Sequence, residues 1–334
     1  MEQHNTQVLF FQQIKALLPL NLSLVDEIAR ALEISTDSAY RRIRGEKSLS
    51  FEEIKKLSSG FKISIDQFLQ LETNGFVFGG KLGYSPDDFV VQYLNNMKLQ
   101  FEFMLSFDHL HVYFLPNDIP PFVYLQFPKL AAFTFFYYQK SLLHFEEMKD
   151  RKFSVQDIDD IQINLGKKVQ ACFNQIPTTE IWSVDTINSI LRHIAFYRDT
   201  NLFKSREDMD CLYEDLEALI NHIEKQAELG LKFNYEELPD KRSASFRMFN
   251  NDLISGDNSA LAEMGDNKIA YINHNLINFM FTRAENFTNH TRDTFQNAIQ
   301  KSTQISLVGE KARANFFDRL RKKIIAQRET ISHH

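Results

Sequence analysis

Between Arg41 and Lys47 the chain sets Arg41, Arg42, Arg44 and Lys47 against one acid, Glu46. Cations at that density can neutralise phosphates, and an arginine can also give two parallel hydrogen bonds to a guanine edge. Just ahead stand Ser35, Thr36, Asp37, Ser38 and Tyr40, whose short polar groups and phenol can reach base edges or phosphate oxygens. A second group, His274, Asn275, Asn278, His290 and Arg292, gathers within residues 272–293 and could line a ligand pocket. No Gly-x-x-x-x-Gly-Lys-Ser/Thr, Gly-x-Gly-x-x-Gly, Gly-x-Ser-x-Gly or His-Glu-x-x-His string occurs. The expectation is therefore a binding protein and not an enzyme, with no catalytic residue, metal ligand or cofactor assigned. Asp108, His109 and His111 read as surface or packing residues, because a lone His-x-His lacks further ligands.

The elements that must position the first group follow from the segment Val25 to Gly45, which has the spacing of two helices crossing at a turn. Ala29 is small where the helices would touch, Ile34 plugs the turn, and Ala39 and Ile43 seat the second helix on a core. Ser35 or Thr36 caps that helix. Its other face is left to Thr36, Asp37, Ser38, Tyr40, Arg41 and Arg44. Around it, residues 7–71 read as five short helices. Ser23 opens one of them, and capping boxes at Ser50 with Glu53 and at Ser64 with Gln67 open two more.

This pattern resembles the Cro/C1-type, lambda-repressor-like helix-turn-helix of bacterial transcription regulators. The likeness continues through Arg44, Gly45, Glu46 and Lys47, and then through Ser50, Glu52, Glu53, Ile54, Lys56, Leu57, Phe61, Ile63, Asp66, Phe68 and Leu69. It covers about 65 residues. The resemblance implies double-stranded DNA as partner, with Thr36, Asp37, Tyr40 and Arg41 facing bases and Arg44 and Lys47 near phosphates. Two residues depart from the pattern. Glu33 stands where the family has a turn glycine and calls for a left-handed backbone or a different turn. Arg42 stands at a position that is often apolar, so its stem should lie at the core edge.

Charge supports nucleic-acid contact only locally. Residues 1–72 hold nine Lys/Arg and ten Asp/Glu, whereas residues 40–48 carry a net of +3, and the whole chain carries −6. One module with so few cations binds weakly at physiological salt, which favours a homodimer with two modules per operator. The alternative is a helix-turn-helix that contacts protein, its basic residues forming a solvated face.

Eleven glycines and eight prolines in 334 residues disfavour turn-dense sandwiches and barrels, and 43% hydrophobic content can fill real cores. The fold expected is mainly α. A helix-turn-helix domain at 1–73 and a linker at 74–86 precede a helical dimerisation or regulatory domain at 87–232. A small α+β lobe at 233–334 ends in a basic helix. In the helix expected over 206–229, Met209, Leu212, Leu216, Leu219 and Ile223 step by three and four, forming a seam for another helix of this chain or of a second copy. Cys172 and Cys211 are too few for a disulfide framework, and no apolar run reaches the roughly 20 residues of a spanning helix, so a cytoplasmic protein without membrane contact is expected. A small-molecule effector is a further expected partner. The rival reading is a ligand- or nucleotide-responsive, enzyme-like lobe at 233–305, with the helix-turn-helix as its targeting or protein-interaction module.

Overall fold

The computed structural model describes residues 6–18, 22–61, 63, 65–69, 75–81, 83–254, 256–275 and 277–329. Ser64 of the second expected capping box lies outside them. The chain divides into two compact units, Met1–Val77 and Phe78–His334.

In the first unit, α1 (Thr6–Leu17), α2 (Leu24–Leu32), α3 (Thr36–Ile43), α4 (Phe51–Phe61) and α5 (Ile65–Phe68) surround a small core. Phe10, Phe11 and Ile14 of α1 meet Ile28, Ala29 and Leu32 of α2, Ala39 of α3 and Leu57 of α4. Each of the three middle helices begins on a serine. Ser23 and Ser35 cap α2 and α3, and Ser50 forms a reciprocal box with Glu53 at the start of α4. These caps satisfy orphan N–H groups and so define where each short helix can start.

The second unit is built on an eight-stranded mixed sheet. Its strands are β1 (Gly79–Gly80), β2 (Leu110–Leu115), β3 (Thr178–Trp182), β4 (Phe246–Asn250), β5 (Ser259–Met264), β6 (Asn267–Asn273), β7 (Phe279–Thr282) and β8 (Thr303–Gln304). Their spatial order is β1-β7-β6-β5-β2-β3-β4-β8. β2, β3 and β4 run parallel, while the β5–β7 meander lies antiparallel on the far side of β2. Parallel neighbours need long crossovers, and helices fill them. α6 (Phe89–Leu105) precedes β2. α7 (Pro121–Tyr124), α8 (Pro128–Tyr137) and α9 (Asp160–Phe173) join β2 to β3, and α10 (Asn188–Asp199) and α11 (Arg206–Leu229) join β3 to β4. α12 (Glu285–Gln300) and α13 (Glu310–Glu329) complete the unit.

This architecture overturns the expected mainly-α chain with its helical body and separate α+β lobe: the fold is α/β. The central strands β2 and β3 come from the stretch read as purely helical, and they hydrogen-bond directly to β5 and β4 from the supposed lobe. All five residues of β3 are buried, so the strand lacks the polar-apolar alternation that marks a half-exposed one. One sheet face holds Val112, Trp182, Met248 and Ala262 in the main core with the long helices, and the other packs Leu115, Ile181, Phe249 and Leu261 beneath Phe295 and Ala298 of α12.

The seam of α11 is spent inside the chain. Met209, Leu212, Leu216, Leu219 and Ile223 are all buried, and the helix packs on α13, α8 and β4. Gly230 ends α11 in the left-handed region at φ 64°, with Leu307 seated where any side chain would stand. Gly79 and Gly80, expected within a linker, form an edge strand against β7, where a β-carbon on Gly79 would come within 2.8 Å of the Phe281 ring. Among the described residues, no helix is long and apolar enough to cross a membrane.

Candidate nucleic-acid interface

α3 presents two chemically distinct sides. Ala39 and Arg42 are buried, whereas Thr36, Asp37, Tyr40, Arg41 and Arg44 are exposed and Ser38 is half-buried. Tyr40 keeps 49% of its surface accessible, enough for a phenol to reach a partner. Ser35 caps the helix, its Oγ accepting from the Ser38 N–H at 3.3 Å and meeting the Ser38 hydroxyl at 3.0 Å. The Ser35–Ser38 pair is thus partly occupied in holding the first turn. The Arg44 guanidinium lies 5.5 Å from the centre of the Tyr40 ring and 3.4 Å from a Glu46 carboxylate oxygen, which keeps its positive charge beside the helix end.

The turn before α3 takes the left-handed conformation at Glu33, φ 58° and ψ 45°, with the Glu33 N–H bonded back to Arg30 O and the Ile34 N–H to Ala29 O. The glutamate therefore accepts a backbone that glycine adopts without strain, and the turn keeps its geometry.

Arg42 explains how an arginine can occupy the core side. It is 5% exposed, donates to Ser38 O at 3.1 Å and to Glu53 Oε1 at 2.6 Å, and so ties α3 to the start of α4. Burial alone would raise the Glu53 pKa. The Arg42 hydrogen bond, the Ser50 N–H and the charges of Arg42 and Lys47 outweigh that effect and hold it below the usual 4.5. The loop after α3 is pinned by Gln7 of α1, whose amide donates to Arg42 O at 2.7 Å and to Lys47 O at 2.8 Å and accepts from the Leu49 N–H at 2.9 Å. Lys47 is thereby held in an ordered loop with its side chain exposed.

The second group of expected residues does not converge. Asn275 builds a turn, its Oδ1 accepting from the N–H groups of Ile277 and Asn278, while His274 beside it is exposed. Asn278 is buried in the same turn. His290 and Arg292 stand exposed on α12, and Arg292 pairs with Glu263 of β5 at 3.2 Å. The recess found in the second unit has other walls, among them Asp118, Ser189, His193, Asn258 and Asn273. His193 stacks on Tyr137 at 3.8 Å and has Ser189 Oγ at 3.5 Å. The signals for this recess are a prolined loop around Asp118 and asparagines just before β5 and at the end of β6, which mark backbone geometry and no particular chemistry.

The basic face of α13 is largely consumed within the unit. Arg319 pairs with Asp252, Arg321 with Glu224, Lys323 with Asp185 and Arg328 with Glu214, and the Arg313 guanidinium donates to Ile305 O and Val308 O. Among the described residues no group of three or more His, Cys, Asp or Glu side chains is placed to hold a metal ion. Compared with protein-family models, with curated proteins and with solved structures, the chain finds no match in any of the three.

Proposed function

We propose that this chain is a sequence-specific DNA-binding transcription regulator that inserts α3 into the major groove. The observation that carries the reading is the division of α3: one side is fixed to the core through Ala39 and the Arg42–Glu53 pair, and the other offers Thr36, Asp37, Tyr40, Arg41 and Arg44 to a partner. A rod held on one side and polar on the other can lie in a groove about 12 Å wide. Its likeness to the lambda-repressor-like helix-turn-helix assigns Tyr40 and Arg41 to base choice and Arg44 and Lys47 to phosphates. Two copies per operator, their modules one duplex turn apart at roughly 34 Å, would supply the cations that one module lacks. Double-stranded DNA then implies a cytoplasmic bacterial-type regulator, in keeping with the two free thiols of Cys172 and Cys211.

The test is a titration of duplex fragments selected from genomic DNA with the whole protein and with Arg41→Ala. Loss of both affinity and base preference in the variant supports the reading. An unchanged preference removes Arg41 as a base reader.

A further inference from the structure

The second unit holds a recess of about 60 Å³ beyond the carboxyl end of β2. Its position follows from the topology. β2 leads to β3 and β4 on one side, and the chain returns as β5 on the other, pairing Leu115 with Ser259. The connection leaving β2 and the one that brings the chain from β4 into β5 meet at this end of the sheet, and the recess lies between them, lined by Asp118 on the first and Asn258 on the second.

The walls are mostly rings and aliphatic groups, including Phe114, Tyr124, Tyr138 and Phe279, which suits a small organic molecule. Asp118 is the one acidic residue of the lining. Its Oδ2 accepts from Asn258 Nδ2 at 3.2 Å, and its backbone is fixed by the bond from its N–H to Asn258 Oδ1. Its Oδ1 takes no hydrogen bond among the described residues. Asn273, at the end of β6, adds a second acceptor: its buried Oδ1 has no partner. Burial pushes the His193 imidazole down to about 4, with Arg192 acting in the same direction and Asp118 opposing, so the ring is neutral at pH 7. Burial likewise keeps the Tyr124 and Tyr138 phenols protonated. The lining thus offers one carboxyl group, two unfilled acceptors and several π-systems. An anion would meet repulsion from Asp118, and an alcohol would leave its charge unpaired.

We propose that this recess binds the ammonium group of a small primary amine, its N–H groups donating to Asp118 Oδ1 and Asn273 Oδ1 and its charge lying among the aromatic rings. The short apolar substituent of the amine would lie against Ile119, Ile190 and Phe279. Amine binding is measured without DNA, so its failure leaves the DNA reading untouched.

The test uses the whole protein and n-butylamine at pH 7, with butyrate and 1-butanol as size-matched controls, followed by titration calorimetry and by the ring resonances of His193. Saturable binding of the amine in the millimolar range, at least tenfold weaker binding of both controls, and movement of the His193 signals are expected. Asp118→Asn keeps an oxygen for the Asn258 amide and should lower amine affinity at least tenfold, and Asn273→Leu should lower it severalfold. Both variants are first checked for unchanged thermal unfolding, and should Asp118→Asn prove unstable, the His193 shifts of the unmodified protein decide. No saturable amine binding, butyrate binding as tight as butylamine, full affinity in a folded Asp118→Asn, or binding that leaves the His193 signals in place would each overturn the proposal.

Discussion

The dependence of DNA affinity on salt can be worked out from the side chains of α3 and the loop after it. Arg44 and Lys47, the side chains assigned to phosphates, are exposed, whereas Arg42 is committed to Glu53 and buried. Two such cations per module give four for two modules on one operator. Each phosphate neutralised contributes ~0.9 to the slope of log K against log salt, so the predicted slope is about −3.6. Raising salt from ~50 to ~200 mM should then weaken binding by roughly 150-fold. Lys47→Gln removes one cation from each module, which should bring the slope to about −1.8 and the loss over the same range to roughly 12-fold. The assay is fluorescence anisotropy of a selected duplex at several salt concentrations. A slope near zero, or one that Arg44→Gln and Lys47→Gln leave alone, refutes the assignment of these side chains to phosphates. A slope near −5 would mean instead that a further arginine of each module, Arg41 or a released Arg42, reaches a phosphate.

Other consequences concern stability. Glu53→Gln should lower the stability of the first unit by ~2 kcal/mol in urea unfolding, because it strands the buried Arg42 guanidinium. Glu53 has a lowered folded pKa, so the stability it contributes is fully present above the unfolded value near 4.5 and is lost as pH falls through the lower folded value. A difference between wild type and Glu53→Gln that persists undiminished well below that range would contradict this. Lys232 is the reverse case. It is fully buried, desolvation lowers its pKa while Glu180 opposes, and its ring contact with Phe173 is 3.3 Å. The unfolded chain binds the extra proton, so the second unit should gain stability as pH rises from neutral towards the ordinary lysine value of 10.5, and Lys232→Met should abolish that gain. Leu216 of α11 is 0% exposed, so Leu216→Ala should cost ~3 kcal/mol in unfolding and leave the mass in solution unchanged; a shift from dimer to monomer would restore the seam to an interface between copies.

The first unit was readable from sequence because its signals are local. Ser23, Ser35 and Ser50 each announce a helix within three residues, and Ala29, Ile34 and Ala39 mark a crossing by size alone. Arg42 was legible as an oddity, but its partner Glu53, eleven residues on, was not. The sheet was hidden for a different reason. β2 and β3 are short and lie 68 residues apart at the His111–Thr179 contact, and β3 is buried on both faces, so neither period nor proximity exposed the pairing. The seam of α11 was visible as a pattern, yet a three-four spacing is the same whether its partner is α13 of this chain or a second copy. The recess failed to show because Asp118, Asn258 and Asn273 come from three separate turns that only the sheet brings together. In contrast, His274, Asn275, Asn278, His290 and Arg292 were close in sequence and are divided among a turn and one helix face.

Reading of duplex DNA by the exposed side of α3 is tested most directly by retention of random-sequence duplexes by the whole protein at low salt, followed by sequencing of what survives repeated selection, with Tyr40→Ala and Arg41→Ala run in parallel. An enriched motif is expected for the native chain, and an altered or lost motif for both variants. No duplex retained even at low salt, or the same motif from all three proteins, would contradict it.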